Sequence, residues 1–221
     1  MSTKKKSSPD LTPSEKVFFE HVSQFWEKYS KYCIFGALIV GVAGISVLSV
    51  QYRTAQEKAV AQRAYLQALE GDQTEQMEAL KAVVADHSEY EYAAMSALKI
   101  GELYLREGDY STSIEWFERA EKKSSHELVR DMARENIGAA YEYLGEYDLA
   151  MEAYKELTRV RNSFRTPSVY LKMAFLEMSR GNLDRAAVYS QKVIADDDVE
   201  TSVKSSAKGL YAQLNAMGVD N

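Results

Sequence analysis

Residues 97–110 read ALKIGELYLREGDY, and the pattern runs on through Ser113, Phe117 and Ala120. The same residue types return 37 positions later as Ile137, Gly138, Tyr141, Gly145, Tyr147, Ala150 and Tyr154, with Leu157 in place of the final small residue. A third copy keeps the spacing at Tyr170, Met173, Ala174, Gly181, Leu183 and Ala186. There Glu177 stands where the inner tyrosine falls in the other copies, and Ser190 stands where the outer aromatic falls. Self-similarity at a period of this length is the signature of a helical array, in which each copy is one pair of helices stacked on the next.

The spacing has a physical reason. Two antiparallel helices joined by a tight turn approach closely only where small residues meet large ones across the contact. Gly101 and Gly138 are the small residues, and Tyr104, Tyr110 and Phe117 are expected to fill the space between helices. Gly108, Gly145 and Gly181 supply the backbone that ends the first helix of each pair. At these positions the aromatic residues read as packing rather than as a ligand box.

These residues resemble the tetratricopeptide-repeat pattern, which implies an all-α solenoid over residues 94–199 made of three repeats. The composition agrees. Only Pro9, Pro13 and Pro167 interrupt a chain rich in strong helix formers, and strand-like alternation is nowhere sustained. Residues 53–93 read as linking helices or a degenerate repeat, with Ala61, Ala64, Tyr65, Ala68, Leu69, Leu80 and Val83 as the inward side. Residues 200–217 read as a helix that caps the open end of the array through Val203, Ala207, Leu210 and Leu214.

Ahead of the repeats, YCIFGALIVGVAGISVLSV at 32–50 is the longest uncharged apolar run, about the length a helix needs to cross a bilayer. Trp26, Tyr29 and Tyr32 on one side and Tyr52 on the other suit the two interfaces. The expectation is a single transmembrane helix over 32–52. A juxtamembrane amphipathic helix over 12–31 precedes it, opened by Thr12-Pro13-Ser14-Glu15 and carrying Phe18, Val22, Phe25 and Tyr29 on one face. Residues 1–11 read as a disordered basic tail. Lys28 and Lys31, with Lys4, Lys5, Lys6 and Lys16 further back, place the N-terminus in the cytoplasm by the positive-inside rule.

Charge and chemistry exclude several functions. Residues 54–221 hold 20 of the 27 basic residues but 29 of the 33 acidic ones, a net of −9, which argues against nucleic acid as a partner. The lone Cys33 has no disulfide partner. His21, His87 and His126 are scattered outside any nucleophile, metal or phosphate motif, and Asp196, Asp197 and Asp198 lack the ligand spacing of a calcium loop. No enzyme activity, cofactor, metal or small-molecule substrate is expected.

A protein partner is expected instead. In the tetratricopeptide family the first helix of each repeat lines the concave face. The resemblance therefore assigns partner binding to Met95, Leu98, Glu102 and Leu105, then Met132, Glu135, Ala139 and Glu142, then Leu171, Phe175 and Met178. The family's carboxylate clamp is not matched at these positions. An apolar groove of this kind suits an amphipathic helix or an extended hydrophobic segment, unless the chain's own early helices fill it.

The whole layout, with Val17-Phe18-Phe19 before a Gly/Ala/Val/Ile-rich span that leads through an Ala/Gln/Tyr helix into repeats, is similar to the ancillary subunit of the bacterial Sec translocon. That resemblance implies a single-pass protein of the bacterial inner membrane with its repeats in the periplasm. Its partners would be translocon subunits or a membrane-anchored periplasmic chaperone. A scaffold of another envelope complex, for secretion, division or pilus assembly, shares the same features. So does an organelle-membrane receptor with its repeats in the cytosol.

Overall fold

The computed structural model describes residues 12–159 and 165–218, so the expected tail over 1–11 lies outside the described residues. The chain divides into two compact units, Met1–Glu57 and Lys58–Asn221. The described residues hold nine helices and no strand.

The first unit is built on α1, which runs from Pro13 to Ala68. Its start follows from the sequence: Glu15 accepts hydrogen bonds from both the backbone N–H and the hydroxyl of Thr12, each at 2.7 Å, and Pro13 fills the first helical position. The stretches read as a surface helix and a span are one unbroken helix, because no proline or glycine pair between 14 and 52 interrupts its hydrogen bonding. Ser46 and Ser49 turn their hydroxyls onto the carbonyls of Val42 and Ile45 at 2.8 Å.

The second unit opens with the last turns of α1, followed by α2 (Gln73–Asp86), α3 (Glu91–Glu107), α4 (Tyr110–Lys123), α5 (Glu127–Leu144), α6 (Tyr147–Arg159), α7 (Thr166–Ser179), α8 (Leu183–Ile194) and α9 (Thr201–Ala216). From α2 onward each helix packs on the next, while α3 also meets α5 and α7 meets α9. Alternate helices thus form two layers, as in a solenoid. Asp72 caps α2 by accepting from the backbone of Thr74 and Glu75, and Asp109 caps α4 by accepting from Thr112.

The 37-residue step is visible in the turns. Gly108 and Gly145 have φ of 82° and 77°, and the next residue returns its N–H to a carbonyl of the preceding helix, Asp109 to Tyr104 at 3.0 Å and Glu146 to Tyr141 at 2.9 Å. Only glycine takes that left-handed conformation without strain. It is visible again in the helix contacts: a Cβ on Gly101 would lie 2.6 Å from the Phe117 ring, and one on Gly138 would lie 2.4 Å from the Tyr154 ring. Both rings are fully buried.

The third pair solves the same problem differently. Ala174 faces a helix whose aromatic position is Ser190, and both are buried, with Ser190 donating to the carbonyl of Ala186 at 2.9 Å. Glu177, 1% exposed, accepts from the Asn182 amide at 2.6 Å and pairs with Arg185 at 3.5 Å. A buried carboxylate is tolerated only with such partners.

The buried side chains fall into three clusters. The first spans α1 to α5, the second spans α6 and α7, and the third joins α7 and α8 to α9. Tyr141 packs against both the first and second clusters, and Tyr189 against both the second and third. Ala207, Leu210 and Leu214 are the buried residues of α9, with Val203 half-buried.

One contact ties the start of α3 to the loop between α4 and α5. Glu91, in the first turn of α3, accepts from the Ser124 hydroxyl and from the backbone N–H and hydroxyl of Ser125, the latter two at 2.9 and 2.8 Å. Burial opposes its charge, but these hydrogen bonds and nearby His126 outweigh that cost and hold the carboxyl below the usual carboxylate range. A depressed folded value means that the stabilisation is complete above the ordinary titration point of 4.5 and is lost as pH falls through the folded value. Glu91→Gln is therefore expected to be less stable than the parent at neutral pH. The gap in melting temperature should narrow as the buffer is taken progressively below pH 4.5; a gap independent of pH would show that the charge contributes nothing.

Candidate protein-binding surface

The first helices of the three repeats, α3, α5 and α7, carry all eleven residues expected to contact a partner. Their surroundings differ sharply along the array. On α3, Leu98 is buried and Met95 and Leu105 are half-buried against the first cluster. Tyr65, from the last turns of α1, lies 5.9 Å from the Tyr92 ring. Burial, and then the charge of Glu102, push its phenol pKa up. Glu102 itself accepts from Lys99 at 2.9 Å. At this end Tyr65 of the chain's own early helix packs against Tyr92 and the first cluster.

On α5, Met132 packs against the first cluster and Glu135 is 6% exposed. Glu135 is held by Arg165, just ahead of α7, and by Lys172 at 3.3 Å. This carboxylate joins the second repeat to the third. Leu171 and Met178 on α7 are half-buried against the third cluster.

The remaining three, Ala139, Glu142 and Phe175, come together. With Tyr143, Tyr147, Lys172, Leu176 and Ser179 they line an open cleft of about 500 Å³ between α5, α7 and the start of α6. Phe175 is 45% exposed and Tyr143 is 64% exposed, so apolar area faces solvent here that a partner can cover. Glu142 is fixed in the cleft by accepting from the Tyr154 hydroxyl at 2.5 Å. Burial first, and then this bond to a carboxylate, raise the Tyr154 pKa far above the ordinary phenol range, so that hydroxyl stays a donor. Tyr143 stacks on Tyr110 with ring centroids 5.0 Å apart and planes at 9°, and Arg180, just after α7, donates to Asp148 of α6 at 2.7 Å. The cleft thus offers rigid aromatic edges, one carboxylate and the Lys172 ammonium within a small volume.

Five of these lining residues, Tyr143, Tyr147, Lys172, Leu176 and Ser179, were not expected at a binding surface. Tyr147 carries the repeat signature and reads as packing in the sequence, yet it is 43% exposed. Tyr143 and Lys172 had a signal available: they stand four residues after Ala139 and three before Phe175, on the same helical faces. Among the described residues no group of three or more His, Cys, Asp or Glu side chains is arranged to hold a metal ion.

Comparison with curated protein sequences gives no match. Solved structures resemble the fold. The MamA protein aligns with a TM-score of 0.52 at 18% identity, over 73% of this chain and 88% of that one. A putative kinesin light chain of Podospora anserina with nearly identical TPR-like repeats gives 0.52 at 17%, over 75% and 88%. The apo form of RapI gives 0.56 at 19%, over 73% of this chain and 50% of that one. The model of the tetratricopeptide repeat-like domain matches residues 23–167, about two thirds of the sequence, and with its glycine turns and paired helices the chain belongs to that family.

Proposed function

We propose that the protein is a membrane-anchored interaction module, an accessory subunit of bacterial protein export whose repeat array stands in the periplasm and works without catalysis. The observation that carries this reading is a helix that is uncharged and exposed on every side from 32 to 50, in a chain that also presents an open cleft on its repeats. A core helix of a soluble protein would be mostly buried, whereas this stretch leaves Ile34, Phe35, Leu38, Val40 and Ile45 all more than half exposed. The two serine hydroxyls within it are satisfied inside the helix, as a hydrocarbon environment requires. The residues matched by the family model, 23–167, take in this run. Lys28 and Lys31 ahead of it support a cytoplasmic N-terminus, and the resemblance in layout to the ancillary translocon subunit supports the export role.

Crosslinking of the tagged full-length protein in cells, followed by detergent purification and mass spectrometry, is expected to recover translocon subunits or a membrane-anchored chaperone. A form lacking 32–52 should lose them. Recovery of a different envelope complex would replace the export role with that of a scaffold there. Protease added to spheroplasts should digest the repeats, and protection of the repeats would reverse the orientation.

A further inference from the structure

On α5 the cleft residues Ala139, Glu142 and Tyr143 share one side. At 100° per residue Arg134, Ile137 and Tyr141 point nearly opposite. Those three line a second groove, about 240 Å³, whose other walls are Glu118 and Glu121 of α4 and Leu149, Glu152, Ala153 and Glu156 of α6. Its floor is apolar: Ile137 is almost buried, Tyr141 and Ala153 are half-buried, and Leu149 is 43% exposed at the lip.

The rim is acidic on both sides. Its one inward cation, Arg134, is already committed, with Nε donating to Glu121 at 2.7 Å and the guanidinium 3.8 Å from Asp131. Glu156 is paired with Arg159. Glu118 and Glu152, one from each wall, are exposed and have no cationic partner among the described residues. An apolar floor between two unneutralised carboxylates is complementary to an apolar side chain flanked by cations. A carboxylate on either side of the same segment would be repelled.

We infer that this groove between α4 and α6 is a second protein-docking site, separate from the cleft on the other side of α5, and that it takes a basic segment of a partner protein. The segment places one leucine-sized side chain on Ile137, Tyr141 and Leu149, and presents lysine or arginine one helical turn before and after it to Glu118 and Glu152. The inference does not rest on the export role and stands whichever envelope complex the array serves.

The test uses the full-length protein in a zwitterionic detergent and a fluorescein-labelled helical peptide with a central leucine and lysines four residues to either side. Binding followed by anisotropy is expected, at least tenfold weaker for Glu118→Lys/Glu152→Lys and clearly weaker for Glu118→Gln/Glu152→Gln. Binding should also be lost when the peptide leucine becomes alanine or its lysines become glutamates. Two variants serve as references: Glu70→Lys/Glu89→Lys makes the same charge change at exposed sites elsewhere, and Phe175→Ala alters the other cleft. Both should bind the peptide as the parent does. No binding by the parent overturns the inference, as does equal binding by the Glu118→Lys/Glu152→Lys form. A loss in the Glu70→Lys/Glu89→Lys form as large as in the groove variant would show attraction to net charge alone and overturn it too. A loss confined to Phe175→Ala would assign the peptide to the first cleft and leave the groove without a role.

Discussion

Phe117→Ala is expected to lower the unfolding free energy by about 3–5 kcal/mol, the range for removing a buried aromatic side chain from a core. The ring is fully buried between α3 and α4 and lies across the bare face of Gly101, so its removal leaves a void that neither helix can close without moving its backbone. Denaturant unfolding of the full-length protein in detergent, followed by a tertiary signal, should show a lower midpoint at nearly unchanged slope. A loss under about 1 kcal/mol would mean that the pair does not depend on this contact and that the glycine–aromatic register is incidental.

The second large effect is a change of sign. Alanine at position 138 would push its Cβ to 2.4 Å from the Tyr154 ring, and that ring, fully buried and hydrogen-bonded to Glu142, has nowhere to go. Gly138→Ala should therefore destabilise by about 1–3 kcal/mol, despite the roughly 1 kcal/mol that alanine gains over glycine inside a helix. In a Tyr154→Ala background the clash is absent and only the helix preference remains. There the same substitution should stabilise by up to about 1 kcal/mol. If Gly138→Ala has the same sign in both backgrounds, close approach is not the reason for the glycine.

These two positions show why the fold was legible. Gly101 with Phe117 and Gly138 with Tyr154 repeat at one spacing, and a spacing repeated in sequence states which residues meet. The third pair was the least legible, because Ala174 and Ser190 blur the large and small roles and Glu177 reads as a surface residue until Asn182 and Arg185 are seen beside it. The binding surface was legible only as a helix face. Periodicity says which side chains share a side of α3, α5 or α7, and says nothing of what covers that side. Tyr65 was legible as an inward residue of a helix without the signature glycines, but nothing local to it or to Tyr92 announces that the two rings meet. Ala139, Glu142 and Phe175 remained open because nothing equivalent reaches them. Tyr143 and Lys172 join them through the ordinary geometry of a helix turn.

The division of the core into three clusters gives the cleft a mechanical meaning. Tyr141 and Tyr189 are the hydrophobic side chains, among those described, that touch two clusters at once, so these two rings act as the mortar between blocks. The cleft straddles the seam that Tyr141 bridges, with one wall on α5 and the other on α7. A partner seated there adds a brace across a joint that Tyr141, the Glu135 ion pairs and the direct packing of α5 on α6 otherwise hold. Occupancy of the cleft and the stiffness of the array are then coupled, since whatever binds more tightly to the closed seam also resists its opening.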